Sequence, residues 1–375
     1  MNTSRALQPA DIAPRLLPWF DAHGRSLPWR GCGDPYRIWV SEIMLQQTRV
    51  SVVIPYYERF LQRFPTVHAL AAADEDDVLA AWSGLGFYRR ARNLHAGARQ
   101  IVQEFGGEVP RDPETLLSIK GIGRYTMGAV LSAAHDMPVP ILDGNVIRVL
   151  SRLSRVDGPP DRSATQKILW RLAEDVLPTE RPGDFNQALM DLGATVCKPS
   201  GPTCDTCPLS DVCQGLADGD AESFPRPGRK QMVKFVLRAC VRLRTPEGRY
   251  LLERRPGRGL LPQMWELPAV IVPEHGNPEE RARALACSLR RAESLPREFV
   301  DHLVPAGVAE HRFSHRHWTT HVFEAQVRPP SLAAEPGHPE RRWVGVDEFD
   351  SLGLPTASRK AIEASRNERL HAGSP

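Results

Sequence analysis

The spacing of apolar residues changes partway along the chain. Up to residue 213 they recur at helical intervals: Met127, Val130, Leu131 and Ala134 form one stripe, and Ile168, Leu169, Leu172 and Val176 another. Ser163 and Gln166, three apart, predict a capping box at the start of the second stripe. Asp34-Pro35 reads as an N-cap and first-turn proline ahead of the apolar helix Ile38 to Leu45. A short helix is expected over Pro113–Ser118, another from Arg124, and a third opened by Leu142-Asp143-Gly144-Asn145. From residue 233 the period becomes two. Phe235, Leu237, Ala239, Val241 and Leu243 alternate with other residues, Thr245-Pro-Glu-Gly248 makes a turn, and Tyr250-Leu-Leu starts a return strand. Between the two patterns, residues 214–232 are rich in Gly, Pro, Asp, Arg and Lys and read as a linker. The fold class is therefore multidomain: an all-α core over 1–213 and an α+β domain over 233–370. No solenoid-type repeat is visible.

A length of 375 residues suits this division, and 41% hydrophobic with 25% charged residues is a soluble, globular composition. The formal net charge of +3 only weakly favours a polyanionic partner, so local basic clusters matter more. The N-terminus has no apolar core of signal-peptide type and no run approaches a membrane span. A cytoplasmic protein without membrane association is expected.

Seven cysteines fit that compartment, and four of them crowd into residues 197–213. The spacing Cys197-x6-Cys204-x2-Cys207-x5-Cys213 can saturate a tetrahedral zinc or a cubane cluster, and spacing physics leaves the two open. Ile119-Lys-Gly-Ile-Gly-Arg-Tyr125 is a Gly-x-Gly turn opening a helix. Such a turn aims free N–H groups at one phosphate, with a cation held by turn carbonyls; alone it is equally a plain helix connector. Asp143, at a helix start, reads by itself as an N-cap. The helix N-terminus would favour its ionised form. Glu42 is a lone acid in an apolar helix.

These motifs together resemble the endonuclease III superfamily, and within it the MutY-type adenine DNA glycosylases. The 6-2-5 cysteine spacing with Pro208 resembles their iron–sulfur loop, so the resemblance implies a structural [4Fe–4S] cluster on Cys197, Cys204, Cys207 and Cys213 and a loop, with Lys198, close to DNA phosphates. The turn at Gly121 and Gly123 followed by Asp143 resembles their helix-hairpin-helix and catalytic aspartate. Ser41-Glu42-Ile-Met-Leu-Gln-Gln-Thr-Arg-Val50 resembles the adenine glycosylase motif almost letter for letter, which makes Glu42 the acid at adenine N7 and the base for water. Bifunctional relatives carry a Schiff-base lysine where this chain has Tyr125, so a monofunctional enzyme is implied. Lys120 precedes the first glycine and occupies a different position. Asn145 joins Tyr125 in positioning groups around the two carboxylates.

Phe313-Ser314-His315, after the Gly259–Pro268 segment, resembles the loop that reads 8-oxoguanine in a Nudix-like C-terminal domain, with Ser314 facing the lesion and His315 supporting it. Nudix hydrolysis is excluded, because residues 281–292 contain no acid to hold magnesium. By the same match Leu27-Pro28-Trp29-Arg30 borders the adenine pocket, Gln47, Thr48 and Tyr88 sit where the duplex opens, and Gln187 contacts adenine. The implied core has a six-helix lobe over about 28–133 and an iron–sulfur lobe from 1–27 and 134–213. The implied partner is double-stranded DNA with A:8-oxoguanine or A:G mispairs, bound by a monomer. A bifunctional pyrimidine-lesion glycosylase is opposed by Tyr125 and Glu42, and a non-catalytic binding module by Glu42 together with Asp143.

Overall fold

The computed structural model describes residues 8–228, 232–273, 275–292, 298–328 and 340–365. Residues 1–7, 229–231, 274, 293–297, 329–339 and 366–370 of the expected domains and linker lie outside these. The chain divides into two compact units, Met1–Ala72 with Arg92–Lys230, and Ala73–Ala91 with Gln231–Pro375. Among the described residues no helix is long and apolar enough to cross a membrane.

The first unit is helical. In chain order its elements are α1 (Pro9–His23), α2 (Pro35–Leu45), α3 (Val50–Arg63) and α4 (Val67–Ala72); α5 (Glu75–Ala81) belongs to the second unit. Then follow α6 (Arg89–Phe105), α7 (Pro113–Ser118), α8 (Arg124–His135), α9 (Gly144–Leu153), α10 (Ser163–Asp175), α11 (Pro182–Thr195) and α12 (Gln214–Ala217). The expected starts of α2, α7, α8 and α9 are found. Asp34 caps α2 by accepting from the Tyr36 and Arg37 amides. One apolar core joins Ile12 and Leu16 of α1 to Val146 and Leu150 of α9 and Phe185 and Leu189 of α11, with Cys197, Cys207 and Cys213 packed at its edge.

Two local expectations fail in α10. Ser163 is its first residue, the N-cap is Arg162 with no side-chain cap bond, and the Gln166 amide donates instead to the Pro160 carbonyl (2.6 Å). Ile168 is 49% exposed, because the buried row runs through Thr165, Leu169 and Ala173. Residues 214–224, linker-like in composition, are folded against the first unit: Arg155 pairs with Asp218 and Asp220, and Arg152 donates to the Phe224 carbonyl.

Residues 73–91 make close contacts in the second unit, where Asp76 pairs with Arg254 and the Ser83 hydroxyl donates to the Leu354 carbonyl. The sheet there contains β1 (Lys234–Arg244), β2 (Tyr250–Arg254), β3 (Trp265–Glu266), β4 (Ala269–Ile271), β5 (Val304–Arg312), β6 (Arg316–Gln326) and β7 (Arg341–Val344). Its order is β3-β2-β1-β6-β5, with β4 on β1 and β7 on β2; β1 and β6 run parallel and the other pairs antiparallel. The predicted β1–turn–β2 hairpin is present, with Gly248 at φ +84° in the turn. Strict alternation fails in β1. Ala239, Val241 and Leu243 pack with α13 (Pro278–Ala292) on one face, while Cys240 is buried in a second core on the other. Phe235, at the open end of the strand, is 73% exposed and lies against the His317 ring.

Close helix approach in the first unit depends on small residues. A Cβ at Gly128 would stand 2.3 Å from the Pro140 carbonyl oxygen, and one at Gly193 2.6 Å from the Asn145 Cβ. The second contact seats the N-terminus of α9 on α11. Gly193→Ala should therefore cost about 1–3 kcal/mol in urea unfolding and displace Asp143; an unchanged midpoint would show that the approach can relax.

Candidate active site

A cavity of about 550 Å³ opens among α2, α8, α9 and α11, and Glu42, Tyr125, Asp143 and Asn145 all line it. Glu42 reaches it from α2, whose residues from Ile38 to Met44 are all buried, itself included at 6% exposure. The Tyr125 hydroxyl donates to Glu42 Oε2 at 2.5 Å. Burial pushes the Glu42 pKa up to about 7, against the Tyr125 bond and the Arg30 charge, which lower it; Asp143 adds to the rise. Burial, with the two carboxylates close by, also drives the Tyr125 phenol well above its ordinary range.

Asp143 is the N-cap of α9. Its Oδ1 accepts from the Asn145 and Val146 amides at 3.0 and 2.7 Å, and its Oδ2 from the Asn145 side chain at 2.9 Å. The N-cap reading holds, and the same carboxylate lines the cavity. Burial outweighs these bonds and the Arg148 charge, so the Asp143 pKa is raised, opposite to what the helix N-terminus alone would do. Arg148 supports the arrangement from below, donating to Asn145 Oδ1 (2.9 Å), the Gly193 carbonyl (2.6 Å) and the Cys197 carbonyl (2.7 Å).

Arg30, Gln47, Thr48 and Gln187 also line the cavity. Gln47 is exposed and held at φ +59°, a left-handed backbone that is costly for a non-glycine residue. Arg30 faces inward in a paired state: its guanidinium makes two 2.7 Å bonds to Asp191, which is fully buried. Arg25 binds the same carboxylate. Burial works against the Asp191 charge, but the Arg30 and Arg25 bonds prevail and hold its carboxyl below the usual range.

The hairpin turn follows α7. Gly121 has φ +88° and lies where a Cβ would meet Asn93 at 2.7 Å. Gly123 is the N-cap of α8 and leaves that helix start without a side-chain cap, with open space around it. Backbone N–H groups so presented suit an anion. Lys120 is exposed on the turn and does not line the cavity.

All four clustered cysteines are free thiols around a second cavity of about 30 Å³. The buried Arg152 closes one side, donating to Cys197 Sγ at 3.3 Å and to the Lys198 and Pro199 carbonyls. Burial raises the Cys204, Cys207 and Cys213 thiols, Cys207 to about 11. Among the described residues no three Cys, His, Asp or Glu are grouped tightly enough to hold a metal ion.

In the second unit, Ser314 and His315 are exposed at the tip of the β5–β6 hairpin. The tip is tied by bonds from the Phe313 amide to the Arg316 carbonyl (2.7 Å) and from the Lys234 amide to the His315 carbonyl (3.0 Å). Phe313 packs edge-on against His311 and Trp318. Tyr88 is buried, accepts from the Gly84 amide (3.4 Å), and does not line the cavity.

Sequence reasoning missed Asp191, Arg25, Arg148 and Arg152. Asp191 carried the same signal as Glu42, a lone acid in an apolar run, Leu189-Met-Asp-Leu192. The arginines carried none, since their main partners, the Asp191 carboxylate for Arg25 and the carbonyls of residues 193–199 for Arg148 and Arg152, lie far away in sequence.

Residues 40–175 match the HhH-GPD superfamily of base excision DNA repair proteins, and residues 239–364 match a NUDIX domain. A thermostable thymine-DNA glycosylase superposes with a TM-score of 0.51 at 28% identity, covering 56% of this chain and 97% of that one. Fold and site thus define a base-excision DNA glycosylase, a hydrolase of N-glycosyl bonds, with a Nudix-like second domain. The adenine DNA glycosylase of Rattus norvegicus is 36% identical over 408 residues, spanning 94% of this chain and 78% of the relative. That of Homo sapiens is 35% identical over 412 residues, spanning 94% and 74%. The chain belongs to the adenine DNA glycosylase family, as the motif at Ser41–Val50 implied.

The raised Glu42 pKa has a stability consequence. With a folded value of about 7 against an ordinary 4.5, Glu42 favours the fold when protonated. That contribution is complete below about pH 4.5 and is lost as pH rises through about 7. Glu42→Gln does not titrate, so its stability relative to wild type should improve over this window by roughly 3 kcal/mol. Unfolding free energies at both ends check it; a constant difference would place the carboxyl in water.

Proposed function

We propose that this chain hydrolyses the N-glycosidic bond of adenine mispaired with 8-oxoguanine or guanine in double-stranded DNA, leaving an abasic site and an uncut strand. The observation that carries the reading is the single cavity joining Glu42, with a pKa of about 7, to Tyr125 and Asp143. A carboxylic acid poised near neutrality can donate its proton to adenine N7. The C1′–N9 bond then breaks with its electrons leaving on the base, and positive charge develops on the sugar. Asp143, anchored by three bonds, stabilises that charge. Glu42, now a carboxylate, takes a proton from the attacking water, which restores the acid. Tyr125 offers no amine for a Schiff base, which favours a monofunctional reaction.

The four thiols suit a [4Fe–4S] cluster. They surround one small cavity, a buried guanidinium faces them, and burial raises the Cys204, Cys207 and Cys213 thiols, so that a cationic centre is needed to hold these as thiolates. When bound, the cluster acts as a cross-link that fastens the loop around Lys198. At the hairpin turn, the uncapped N–H groups after Gly121 and Gly123 would take a DNA phosphate, with a cation on the turn carbonyls. Ser314 and His315 read the 8-oxoguanine, supported by their exposure on a tied hairpin tip.

A duplex with A opposite 8-oxoguanine should yield a strand break only after hot alkali. Glu42→Gln should lower release by at least about 10²-fold while DNA binding persists; turnover near the wild-type rate would remove Glu42 from its role. Ser314→Ala with His315→Ala should reduce the preference for 8-oxoguanine over guanine by roughly tenfold. An unchanged preference would mean that the lesion is read elsewhere.

A further inference from the structure

Asp191 lies on α11 with no solvent exposure, and both of its oxygens are taken by arginine. Oδ1 accepts from Arg25 Nε at 2.7 Å, from the Arg25 terminal nitrogen at 2.5 Å and from Arg30 at 2.7 Å. Oδ2 accepts from the Arg25 amide at 2.9 Å and from Arg30 at 2.7 Å. Arg30 also donates to the Arg25 carbonyl at 2.7 Å, so the three residues form one closed cluster whose two arginines line the cavity. A carboxylate with no access to water is kept ionised only by such pairing.

The cluster carries two positive charges against one negative, and its two arginines line the same cavity as Glu42. The charged and titratable groups around that carboxyl are Tyr125 from α8, Asp143 from the N-cap of α9, and Arg30 from the segment before α2; Arg148 on α9 faces Asp143. Arg30 is the cation among those that act on Glu42 directly. Without the Asp191 charge, Arg30 would pull harder on the Glu42 carboxylate.

We propose that Asp191 is a positioning residue of the reaction: it binds Arg25 and Arg30 into the cavity wall and cancels part of their charge, so that Glu42 keeps its proton until adenine is bound. This role rests on the reading of Glu42 as the acid. It explains why a fully buried acid sits within an apolar helix face, where an aliphatic residue would pack at lower cost.

The test is the pH dependence of adenine release under single turnover. Wild-type release falls on the alkaline side as Glu42 ionises. Asp191→Asn keeps the shape and removes the charge. Its alkaline limb should move about one pH unit toward acid, so that release falls roughly tenfold above the limb and stays near wild type below it. Arg25→Gln removes one positive charge from the cluster and should move the limb the other way. Equal losses at every pH in Asp191→Asn would reduce the residue to structure and overturn the role. So would an unmoved limb in Arg25→Gln, which decides the matter alone if Asp191→Asn does not fold. A wild-type enzyme without an alkaline limb, or an active Glu42→Gln, fails the reading of Glu42 itself, and is distinguishable because it appears before either cluster variant is made.

Discussion

Taking a carboxyl group out of water on an apolar helix is the constraint around which the first unit is arranged. The full burial of Glu42 would be unfavourable if it were left charged and unbonded. Two features resolve this: its pKa rises until the neutral form is available near pH 7, and the Tyr125 hydroxyl bonds it from α8. Both depend on α2 and α8 lying close, as they do. The same burial that costs stability makes the group an acid at the pH where DNA is paired, so the cost and the chemistry have one origin.

Charge balance extends this arrangement outward. Glu42 and Asp143 line the cavity with Arg25 and Arg30, Asp191 lies buried behind the two arginines, and Arg148 faces Asp143. Each arginine is tied to specific oxygens rather than left to solvent. Arg148 links the Asp143–Asn145 pair to the carbonyl of Cys197, and Arg152 fills the space beside the same cysteine. The cysteine loop and the carboxylate site therefore share a layer of guanidinium groups, buried at Arg152 and half-buried at Arg148, with Gly193 providing the close approach of α9 and α11.

The second unit solves a different problem, how to hold a polar tip rigidly in water. Ser314 and His315 are exposed, but Phe313 beside them is wedged between His311 and Trp318, and Arg238 lies 4.0 Å from the Trp318 ring centroid while pairing with Glu266. The hairpin tip is thus supported by an aromatic and cationic stack in the sheet beneath it. Acidic residues are absent from the body of α13, which leaves that helix a packing element for Ala282, Ala286 and Leu289.

Local chemistry announced much of this molecule. Turn residues, N-caps and apolar periodicity placed the starts of α2, α7, α8 and α9 and the β1–β2 hairpin, because those features act within a few residues of one another. The thiol spacing, the Gly-x-Gly turn and the lone acid Glu42 were legible for the same reason. Where exposure decided the outcome, the sequence misled: Ile168 shares the composition of its stripe but not its face, Ser163 stands one residue inside its helix, and β1 is covered on both sides. The tertiary structure alone decided that Glu42, Tyr125 and Asp143 meet, that burial outweighs the helix terminus at Asp143, and that Asp191 gathers Arg25 and Arg30. Those are sums over partners separated by tens to more than a hundred residues, and desolvation exists only once the helices have packed.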